Sequence, residues 1–203
     1  MSPDTLPSFW TLYALTLGGF LVGSLPFSAW IARWRAGVDL RRVGDGNVGA
    51  HNCGRAAGLL WGVICALLDG SKGALIGWLT LQSALPPPLR WWPGVTTLFG
   101  HQYPLFLRFR GGKGISTALG FLLMLYPTAI LKALAVILLL YVTLRNLDLA
   151  LTVGLASIVL LWLPTSGVPR ADLLRVAGYL ALIGLKKLLD LPYERWVREQ
   201  SRP

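Results

Sequence analysis

Charged residues are scarce in this sequence: 14% of its 203 residues are Asp, Glu, Lys or Arg, whereas 54% are hydrophobic. Acidic residues are the rarest of the charged ones, nine against nineteen Lys and Arg, which gives a formal net charge of +10. The mean hydropathy of +0.58 excludes a single soluble domain, because such a domain could not hide so much apolar surface from water. The composition therefore predicts a basic protein that faces mostly lipid.

Cysteine is nearly absent, since Cys53 and Cys65 are the only two. One lies in a polar loop and the other in an apolar run, so the sequence predicts no disulfide. The segment after Met1 to Asp4 has no basic stretch and no obvious small-residue cleavage site. We therefore expect no cleaved signal peptide, and the first apolar run should remain as a membrane span.

Apolar runs long enough to cross a membrane recur along the chain and are separated by short polar stretches. A spanning helix needs about 20 mainly apolar residues, and the shorter runs need buried or re-entrant backbone. We predict seven crossings: Trp10 to Ile31, Gly58 to Leu85, Trp91 to Phe99, Ile115 to Leu125, Pro127 to Leu144, Leu149 to Leu163 and Asp172 to Leu189. The predicted fold is an all-α integral membrane protein forming one domain over residues 1–203, with short re-entrant or broken helices near its polar loops.

Several details of these runs are open or predicted from single residues. The second run carries Asp69 and Lys72, so it is either one long helix or two pieces broken at Asp69-Gly70, and the two charges are either a structural ion pair or part of a site. Residues 33–55 are expected to form a polar loop. Three small-residue pairs at helical spacing predict close helix contacts: Gly19 with Gly23, Gly58 with Gly62, and Gly73 with Gly77.

Lysines and arginines are distributed unevenly between the two sides of the predicted bundle. With the N-terminus outside, fourteen of the nineteen lie on the inner side: Arg33, Arg35, Arg41, Arg42, Arg55, Arg108, Arg110, Lys113, Arg145, Lys186, Lys187, Arg195, Arg198 and Arg202. The positive-inside rule therefore predicts an external N-terminus and a cytosolic C-terminus. Outside the polar loops, these charges need no role beyond topology and attraction to anionic lipid.

Two polar, glycine-rich segments fall on the cytosolic side of this topology: the first motif loop, residues 39–55, and the second motif loop, residues 100–114. Gly44, Gly46 and Gly49 spell G-x-G-x-x-G, but a dinucleotide fingerprint needs a preceding strand, and here a membrane span precedes it. The second loop fails the P-loop pattern, because Leu107 replaces its first glycine. Backbone N–H groups of glycine-rich loops beside Lys and Arg nevertheless bind phosphate-like anions. The two loops therefore predict an anion site at a membrane face.

The two loops and their flanks resemble the bacterial acyl-phosphate-dependent glycerol-3-phosphate acyltransferases over about residues 20 to 125. The matching motifs, in chain order, are Gly23-Ser24-x-Pro26; Asp39-x-Arg41; Gly44-x-Gly46-Asn47-x-Gly49-Ala50-x-Asn52-x-x-Arg55; Asp69-x-x-Lys72-Gly73; and Gly100-His101-x-x-Pro104 with Gly111-Gly112-Lys113-Gly114. The resemblance implies a seven-span enzyme of the bacterial cytoplasmic membrane with its active site facing the cytosol. It also implies acyl transfer from acyl phosphate to the 1-hydroxyl of glycerol 3-phosphate, which yields lysophosphatidic acid and phosphate.

An acyl phosphate is an activated anhydride, so the protein mainly has to position it and stabilise negative charge. We expect Lys113 and Arg55 to be the cations, with His101 donating to the phosphate or relaying a proton. The remaining predicted binding residues are backbone donors and amide side chains: Gly46, Gly49, Gly111, Gly112 and Gly114 together with Asn47 and Asn52. No metal and no cofactor are expected. The expected partners are acyl phosphate, glycerol 3-phosphate and membrane lipids, with no nucleic acid and a monomer as the assembly.

The sequence departs from the family at Asp45, where the family has serine, and at His51, where it has threonine. The family's C-terminal His and Asn are also missing, since no His follows His101 and no Asn follows Asn146. Asp45 would repel a phosphate monoester. Alternatively, it could pair with His51 so that the histidine acts as a general base toward a neutral hydroxyl, or be neutralised by a nearby arginine. The acceptor is therefore open: glycerol 3-phosphate, a different hydroxyl, or none in an inactive paralogue. An anion transporter is a further alternative, but such folds show internal repeats, and none is visible here.

Overall fold

The computed structural model describes residues 5–200, with side chains from residue 9 onward, and within that range every regular element is helical. The α-helices are α1 (Thr5–Gly23), α2 (Phe27–Ala36), α3 (Ala50–Ala57), α4 (Leu59–Gln82), α5 (Trp91–Gln102), α6 (Ile115–Leu125), α7 (Pro127–Leu144), α8 (Leu147–Ser157), α9 (Leu163–Thr165) and α10 (Arg170–Gln200). A π-helical segment, Ile158–Trp162, makes α8 and α9 continuous. Residues 1–4 and Arg202, which entered the predictions above, lie outside the described residues.

Between residues 5 and 200, four helical stretches are long and apolar enough to cross a membrane: Phe9–Ala36, Leu59–Gln82, Pro127–Leu144 and Leu147–Thr165. The predicted limits of α6 and α7 are confirmed to the residue. Pro127 begins α7, since its fixed φ suits a first helical turn and the missing N–H costs nothing there. The fold class is thus all-helical and of the membrane type.

The first predicted span is not one continuous helix. It breaks between α1 and α2 at residues 24–26, where Pro26 removes a backbone donor. The buried ammonium of Lys72 reaches into this break and donates to the carbonyls of Gly23 and Leu25, at 3.3 and 2.9 Å. Lys72 thereby gives a partner to the carbonyl of Gly23 at the end of α1, and a second donor to the carbonyl of Leu25, which also accepts the backbone N–H of Phe27.

The long second run forms one helix, α4, with no break at Asp69-Gly70. Asp69 and Lys72 form a buried ion pair on one face, with Oδ1 and Nζ 2.8 Å apart. Ser28 of α2 donates to the other carboxylate oxygen of Asp69 at 2.8 Å, and Thr117 of α6 donates to its backbone carbonyl at 2.9 Å. The two charges therefore have a structural role that joins α4 to α2 and to the end of α1, and the backbone of Asp69 joins α4 to α6.

Small residues allow α4 to lie against α6 and α1 against α5. A Cβ on Gly73 would collide with the carbonyl of Thr117, and one on Gly23 would collide with the carbonyl of Thr97, which confirms close contact at both sites. Gly58 is different, because it ends α3 with a φ of +101° and has no atom within contact distance of its missing Cβ. The prediction that Gly58 packs helices is therefore wrong.

The loops at one end of the bundle are held together by the last turns of α10. The helix is longer than the predicted crossing from Asp172 to Leu189, since it runs from Arg170 to Gln200. Tyr193 donates to the carbonyl of Arg41 at 2.7 Å, and Glu194 pairs with Lys113 at 2.9 Å. The C-terminal helix thus contacts both motif loops. The expected polar loop 33–55 is also shorter than predicted, because it lies only between α2 and α3.

Candidate active site

A groove of about 460 Å³ opens between the first turns of α3 and α6 and the sides of α4, α7 and α8. Polar groups line its end at the motif loops: Asn47, His51, Arg55, Asp69, His101, Lys113 and Ser116. Its other walls are mostly apolar: Leu59, Val63, Ala66, Ile115, Leu147 and Leu151, with Tyr141 beside them. The groove therefore combines a basic polar end with an apolar channel, as an amphipathic ligand requires.

Two helix N-termini meet at the polar end of the groove. α3 begins after Gly49 and α6 begins after Gly114, and neither glycine offers a side chain to cap the first turn. The first N–H groups of a helix have no partner within the helix, and the helix dipole favours negative charge at that end. Both termini line the groove, and uncapped helix N-termini are groups that can hold an anion.

Gly114 and Gly112 show why this turn must be rich in glycine. Gly114 has a φ of +87°, a conformation that other residues rarely adopt. A Cβ on Gly112 would lie 2.5 Å from the carbonyl oxygen of Val48 and 2.6 Å from Nε2 of His101. The second motif loop can therefore press against the first only without a side chain at this position.

Asn52 and Asn47 hold the first motif loop in shape. The buried amide nitrogen of Asn52 lies 3.0 to 3.1 Å from the carbonyl oxygens of Leu40, Val43 and Asn47, which share its two hydrogens. The side-chain oxygen of Asn47 accepts a hydrogen bond from the backbone N–H of Lys113 at 3.2 Å, which ties the two motif loops together. These contacts give Asn52 a positioning role, whereas Asn47 also lines the groove.

Arg55 and Lys113 are the two cations that line the groove. Arg55 lies in the last turn of α3 and is exposed, with no ion pair in residues 5–200. Lys113 directly precedes Gly114 and pairs with the buried carboxylate of Glu194 on α10, at 2.9 Å. The pair leaves Arg55 as the unneutralised charge of the site.

His101 lies at the end of α5 and is buried against the Asp69–Lys72 pair. Its Nδ1 is 3.2 Å from Nζ of Lys72 and 3.7 Å from Oδ1 of Asp69. An ammonium group can only donate hydrogen bonds, so Nδ1 must accept and the ring hydrogen is assigned to Nε2. His101 therefore carries a donor at Nε2, which lies beside Gly112, while part of the His101 side chain lines the groove.

A family model described as glycerol-3-phosphate acyltransferase matches residues 13–188. The chain belongs to this family. Glycerol-3-phosphate acyltransferase of Myxococcus xanthus (strain DK1622) is 47% identical over 122 residues, which are 59% of this chain and 63% of that protein. Glycerol-3-phosphate acyltransferase 4 of Dehalococcoides mccartyi (strain CBDB1) is 44% identical over 121 residues, 58% of this chain and 50% of that protein. The matched part of the chain thus spans between half and 63% of the length of these relatives.

A solved structure resembles the whole bundle. It is the glycerol 3-phosphate form of PlsY (YgiH), an integral membrane glycerol 3-phosphate acyltransferase, with a TM-score of 0.81 and 34% identity. The match covers 89% of this chain and 90% of that one. The family resemblance drawn from the motif loops is therefore confirmed, as is the all-helical membrane fold.

For this member of the glycerol-3-phosphate acyltransferase family, seven of the twelve predicted site residues line the groove: Asn47, Gly49, His51, Arg55, His101, Lys113 and Gly114. The other five, which lie away from it, are Asp45, Gly46, Asn52, Gly111 and Gly112. The structure corrects three of these, because the backbone N–H groups of Gly46, Gly111 and Gly112 already donate to the carbonyls of Val43, Gln102 and His101, at 3.0, 3.1 and 3.2 Å. All three glycines fix their loops and are not free donors to a phosphate.

Asp45 and His51 are not brought together by the structure. The buried carboxylate of Asp45 accepts the backbone N–H of Asn47 at 3.2 Å, and it forms no ion pair with an arginine in the described residues. His51 is exposed in the first turn of α3 and faces the groove. The expected Asp–His pair and the expected neutralisation by arginine are both absent between residues 5 and 200.

Two contributors to the site were missed by sequence reasoning. Glu194 orders Lys113, but it comes 81 positions later (194 − 113), and only the fold shows that α10 returns to the loop. Gln102 was quoted only as an unspecified position in a motif, yet its buried amide donates to the carbonyls of Lys113 and Leu182, at 3.0 and 3.4 Å. A polar residue at the end of an apolar helix is the signal that could have indicated Gln102.

Proposed function

We propose that the protein transfers a fatty acyl group from acyl phosphate to the 1-hydroxyl of glycerol 3-phosphate. The products are lysophosphatidic acid and inorganic phosphate. The observation that carries this proposal is the groove, in which two uncapped helix N-termini, Lys113 and Arg55 lie at one end and an apolar channel leads away from them. The polar end suits the phosphate of the donor, and the channel suits its acyl chain.

The chemistry needs stabilisation of two oxygens. When the acceptor hydroxyl attacks the carbonyl carbon, charge develops on the carbonyl oxygen, and it then moves to the phosphate as the carbon–oxygen bond breaks. Preorganised donors are worth most at such places, at about 2.7–4 kcal/mol for one oxyanion-hole donor. We assign the first N–H groups of α3 and α6 and the ammonium of Lys113 to the phosphate, with Arg55 as the mobile cation. Nε2–H of His101 is the assigned donor at the reacting end.

The hydroxyl proton needs an acceptor, and the residues of the groove limit the choice. His101 is assigned as a donor, and Asp69 is held in its ion pair with Lys72. We therefore assign the proton to the departing phosphate, which becomes basic as it leaves. His51 is the second candidate, since it faces the groove and makes no hydrogen bond within residues 5–200.

Glycerol 3-phosphate is the acceptor that the geometry favours. A neutral acceptor was expected to depend on a base pair between Asp45 and His51, and these side chains do not meet. Asp45 faces into its own loop and does not line the groove, so its carboxylate does not confront a bound phosphate monoester directly. The substitution of serine by Asp45 is therefore compatible with the ordinary acceptor of the family.

We further infer a single domain that crosses the bacterial cytoplasmic membrane seven times and works as a monomer without cofactor or metal. The crossings would be α1 with α2, α4, α5, α6, α7, the α8–α9 helix and α10. Contacts of α10 with both motif loops support the seven-crossing topology, because the loops that follow α2 and α5 then lie beside the end of α10. With the N-terminus outside, that side is the cytosol.

Labelling from either side of the membrane tests this topology. Single cysteines introduced at Arg42 and at Arg108, in a background without Cys53 and Cys65, should react with an impermeant maleimide only after the cytosolic side is exposed. A cysteine at Pro87, in the turn before α5, is the matched control and should react in intact cells. Reaction of either motif-loop cysteine in intact cells contradicts the seven-span assignment.

Turnover of palmitoyl phosphate tests the activity itself. Purified protein should release inorganic phosphate from palmitoyl phosphate, and added glycerol 3-phosphate should accelerate the release with formation of lysophosphatidic acid. Glycerol is the matched neutral acceptor. Faster release with glycerol than with glycerol 3-phosphate would replace the proposed acceptor while leaving the donor chemistry in place.

A further inference from the structure

A second cavity, of about 720 Å³, lies at the same end of the bundle but shares no lining residue with the groove. We call it the arginine pocket. It is lined by four arginines, one carboxylate and two aromatic rings: Arg41, Arg42, Arg108, Arg110, Asp39, Phe106 and Tyr193. None of the residues that line the arginine pocket is assigned a role in the proposed acyl transfer.

The pocket has an excess of three positive charges. Asp39 accepts hydrogen bonds from Nε and Nη2 of Arg41 at 2.9 and 2.7 Å, so these two charges cancel. The Arg41 guanidinium also holds the pKa of Asp39 below its usual range, which keeps the pair ionised. Arg42, Arg108 and Arg110 have no carboxylate partner within residues 5–200. Like charges that face one cavity repel each other unless an anion joins them.

The backbone at the edge of the pocket is strained. Arginines that only set the membrane topology would not require such strain. Arg108 and Phe109 both have positive φ, at 54° and 62°, although neither is glycine. Such conformations cost free energy and persist where the surrounding structure holds them. This turn leaves Arg108 and Arg110 lining the pocket, with Arg110 stacked over the ring of Tyr193 at 5.1 Å.

Exposed aromatic rings surround the same pocket. Phe106 is 60% exposed, Phe109 is 57% exposed and Trp196, which stacks on Tyr193, is 55% exposed. Aromatic rings beside arginines are typical of the membrane–water interface, where the ring enters the lipid and the charge stays at the headgroups. The surroundings of the arginine pocket are thus those of a lipid surface.

The geometry points to the arginine pocket as a binding site for the phosphate of an anionic phospholipid headgroup, with Arg42, Arg108 and Arg110 as the ligands. Guanidinium groups bind phosphate oxygens with paired, charge-assisted hydrogen bonds. Attraction to a diffuse surface charge would not require three guanidinium groups to line one cavity. A soluble acidic protein fits less well, because exposed Phe106 and Phe109 would then face water.

A lipid bound in this pocket would contact residues that support the first motif loop. Tyr193 both lines the pocket and donates to the carbonyl of Arg41, and its ring lies 3.1 Å from where a Cβ on Gly46 would be. Gly46 directly precedes Asn47, which lines the groove. An occupied arginine pocket therefore contacts the same loop that forms one wall of the groove, from its other side.

Lipid counting on the purified full chain tests this site. Native mass spectrometry should show phosphatidylglycerol bound in preference to phosphatidylcholine of the same chains. The triple variant Arg42→Gln/Arg108→Gln/Arg110→Gln should bind phosphatidylglycerol at least about tenfold more weakly, because it removes the three guanidinium groups that would pair with the phosphate oxygens. The matched control, Arg33→Gln/Arg145→Gln/Arg195→Gln, removes three exposed arginines that have no ion pair in the described residues and should change binding by less than about threefold.

The variant Arg42→Lys/Arg108→Lys/Arg110→Lys keeps the three charges but loses the paired hydrogen bonds, so it should bind phosphatidylglycerol more tightly than the glutamine variant and more weakly than the parent. Equal affinity for the two lipids, or equal weakening in the pocket variant and its control, overturns the proposal. Displacement of the lipid by soluble poly-glutamate, with the acidic peptide binding more tightly than the lipid, overturns it in favour of an acidic protein partner. The readout is binding alone, so it stands apart from the proposed acyl transfer.

Discussion

Replacing Lys72 with methionine tests the ion pair that joins the fold to the site. Lys72 is 3% exposed, and its ammonium contacts Asp69, the carbonyls of Gly23 and Leu25, and Nδ1 of His101. Methionine keeps most of the volume but leaves a buried carboxylate without its cation. Breaking a buried pair in this way costs about 3–5 kcal/mol.

The predicted loss can be measured as a thermal shift. One kcal/mol corresponds to roughly 2–4 °C in Tm for a chain of 150–250 residues, so Lys72→Met should lower Tm by about 6–20 °C. Cys53 and Cys65 are both fully buried and free, so a thiol-reactive dye in detergent reports unfolding without further labels. The double variant Asp69→Asn/Lys72→Met removes both charges and should recover part of the loss.

Lys132→Met is the matched control, because Lys132 also lies in an apolar helix but is exposed, with its ammonium 5.3 Å from the centre of the Trp162 ring. We expect its Tm to change by less than about 3 °C, since cation–π contacts at exposed sites are worth only about 0.5–1 kcal/mol. If Lys72→Met is no less stable than Lys132→Met, the ion pair does not hold the break between α1 and α2.

Further variants separate the cations of the groove from the departures at Asp45 and His51. Lys113→Ala and Arg55→Ala should each reduce turnover of palmitoyl phosphate by roughly 100-fold or more, because each removes a charge assigned to the leaving phosphate. A Tm measurement should show that both variants are folded. Near-normal turnover in both variants would contradict the anion-site assignment. Asp45→Ser/His51→Thr should change kcat/KM for glycerol 3-phosphate by less than about threefold, since Asp45 faces away from the groove. A large gain would show that repulsion by Asp45 limits the acceptor, and a loss of about 100-fold in His51→Thr alone would make His51 the proton acceptor.

Helix limits were predictable where a single residue fixes the backbone. Gly114 and Pro127 interrupt the apolar runs, so α6 and α7 begin at the residues that the sequence predicts. The break at Pro26 was hidden because apolar residues continue on both sides of it. Its partner, Lys72, lies on another helix, and no local pattern shows that a distant ammonium will bind the freed carbonyls.

The end of α10 shows the same limit in the opposite direction. Pro192 and the charges after Leu189 indicate a helix end, yet the helix continues to Gln200. Contacts with the motif loops, through Tyr193 and Glu194, stabilise turns that local propensity would not. Tertiary contacts commonly override propensity in this way.

The site was predictable in its residue types but not in their division of work. A glycine-rich loop beside Lys113 predicts an anion site, and Lys113 and Gly114 of this loop line the candidate groove. Which N–H groups are free depends on the turn: those of Gly111 and Gly112 are used by α5, whereas the first turns of α3 and α6 are uncapped. Sequence spacing alone carries no record of which carbonyl lies within reach of which N–H.

The most direct test of the account is the rate of phosphate release from palmitoyl phosphate by the purified chain, with and without glycerol 3-phosphate. The account predicts release that glycerol 3-phosphate accelerates, one lysophosphatidic acid formed for each phosphate released, and loss of both products in Lys113→Ala. Phosphate release that is equally fast in Lys113→Ala, or no acyl transfer to glycerol 3-phosphate at any concentration, would contradict it.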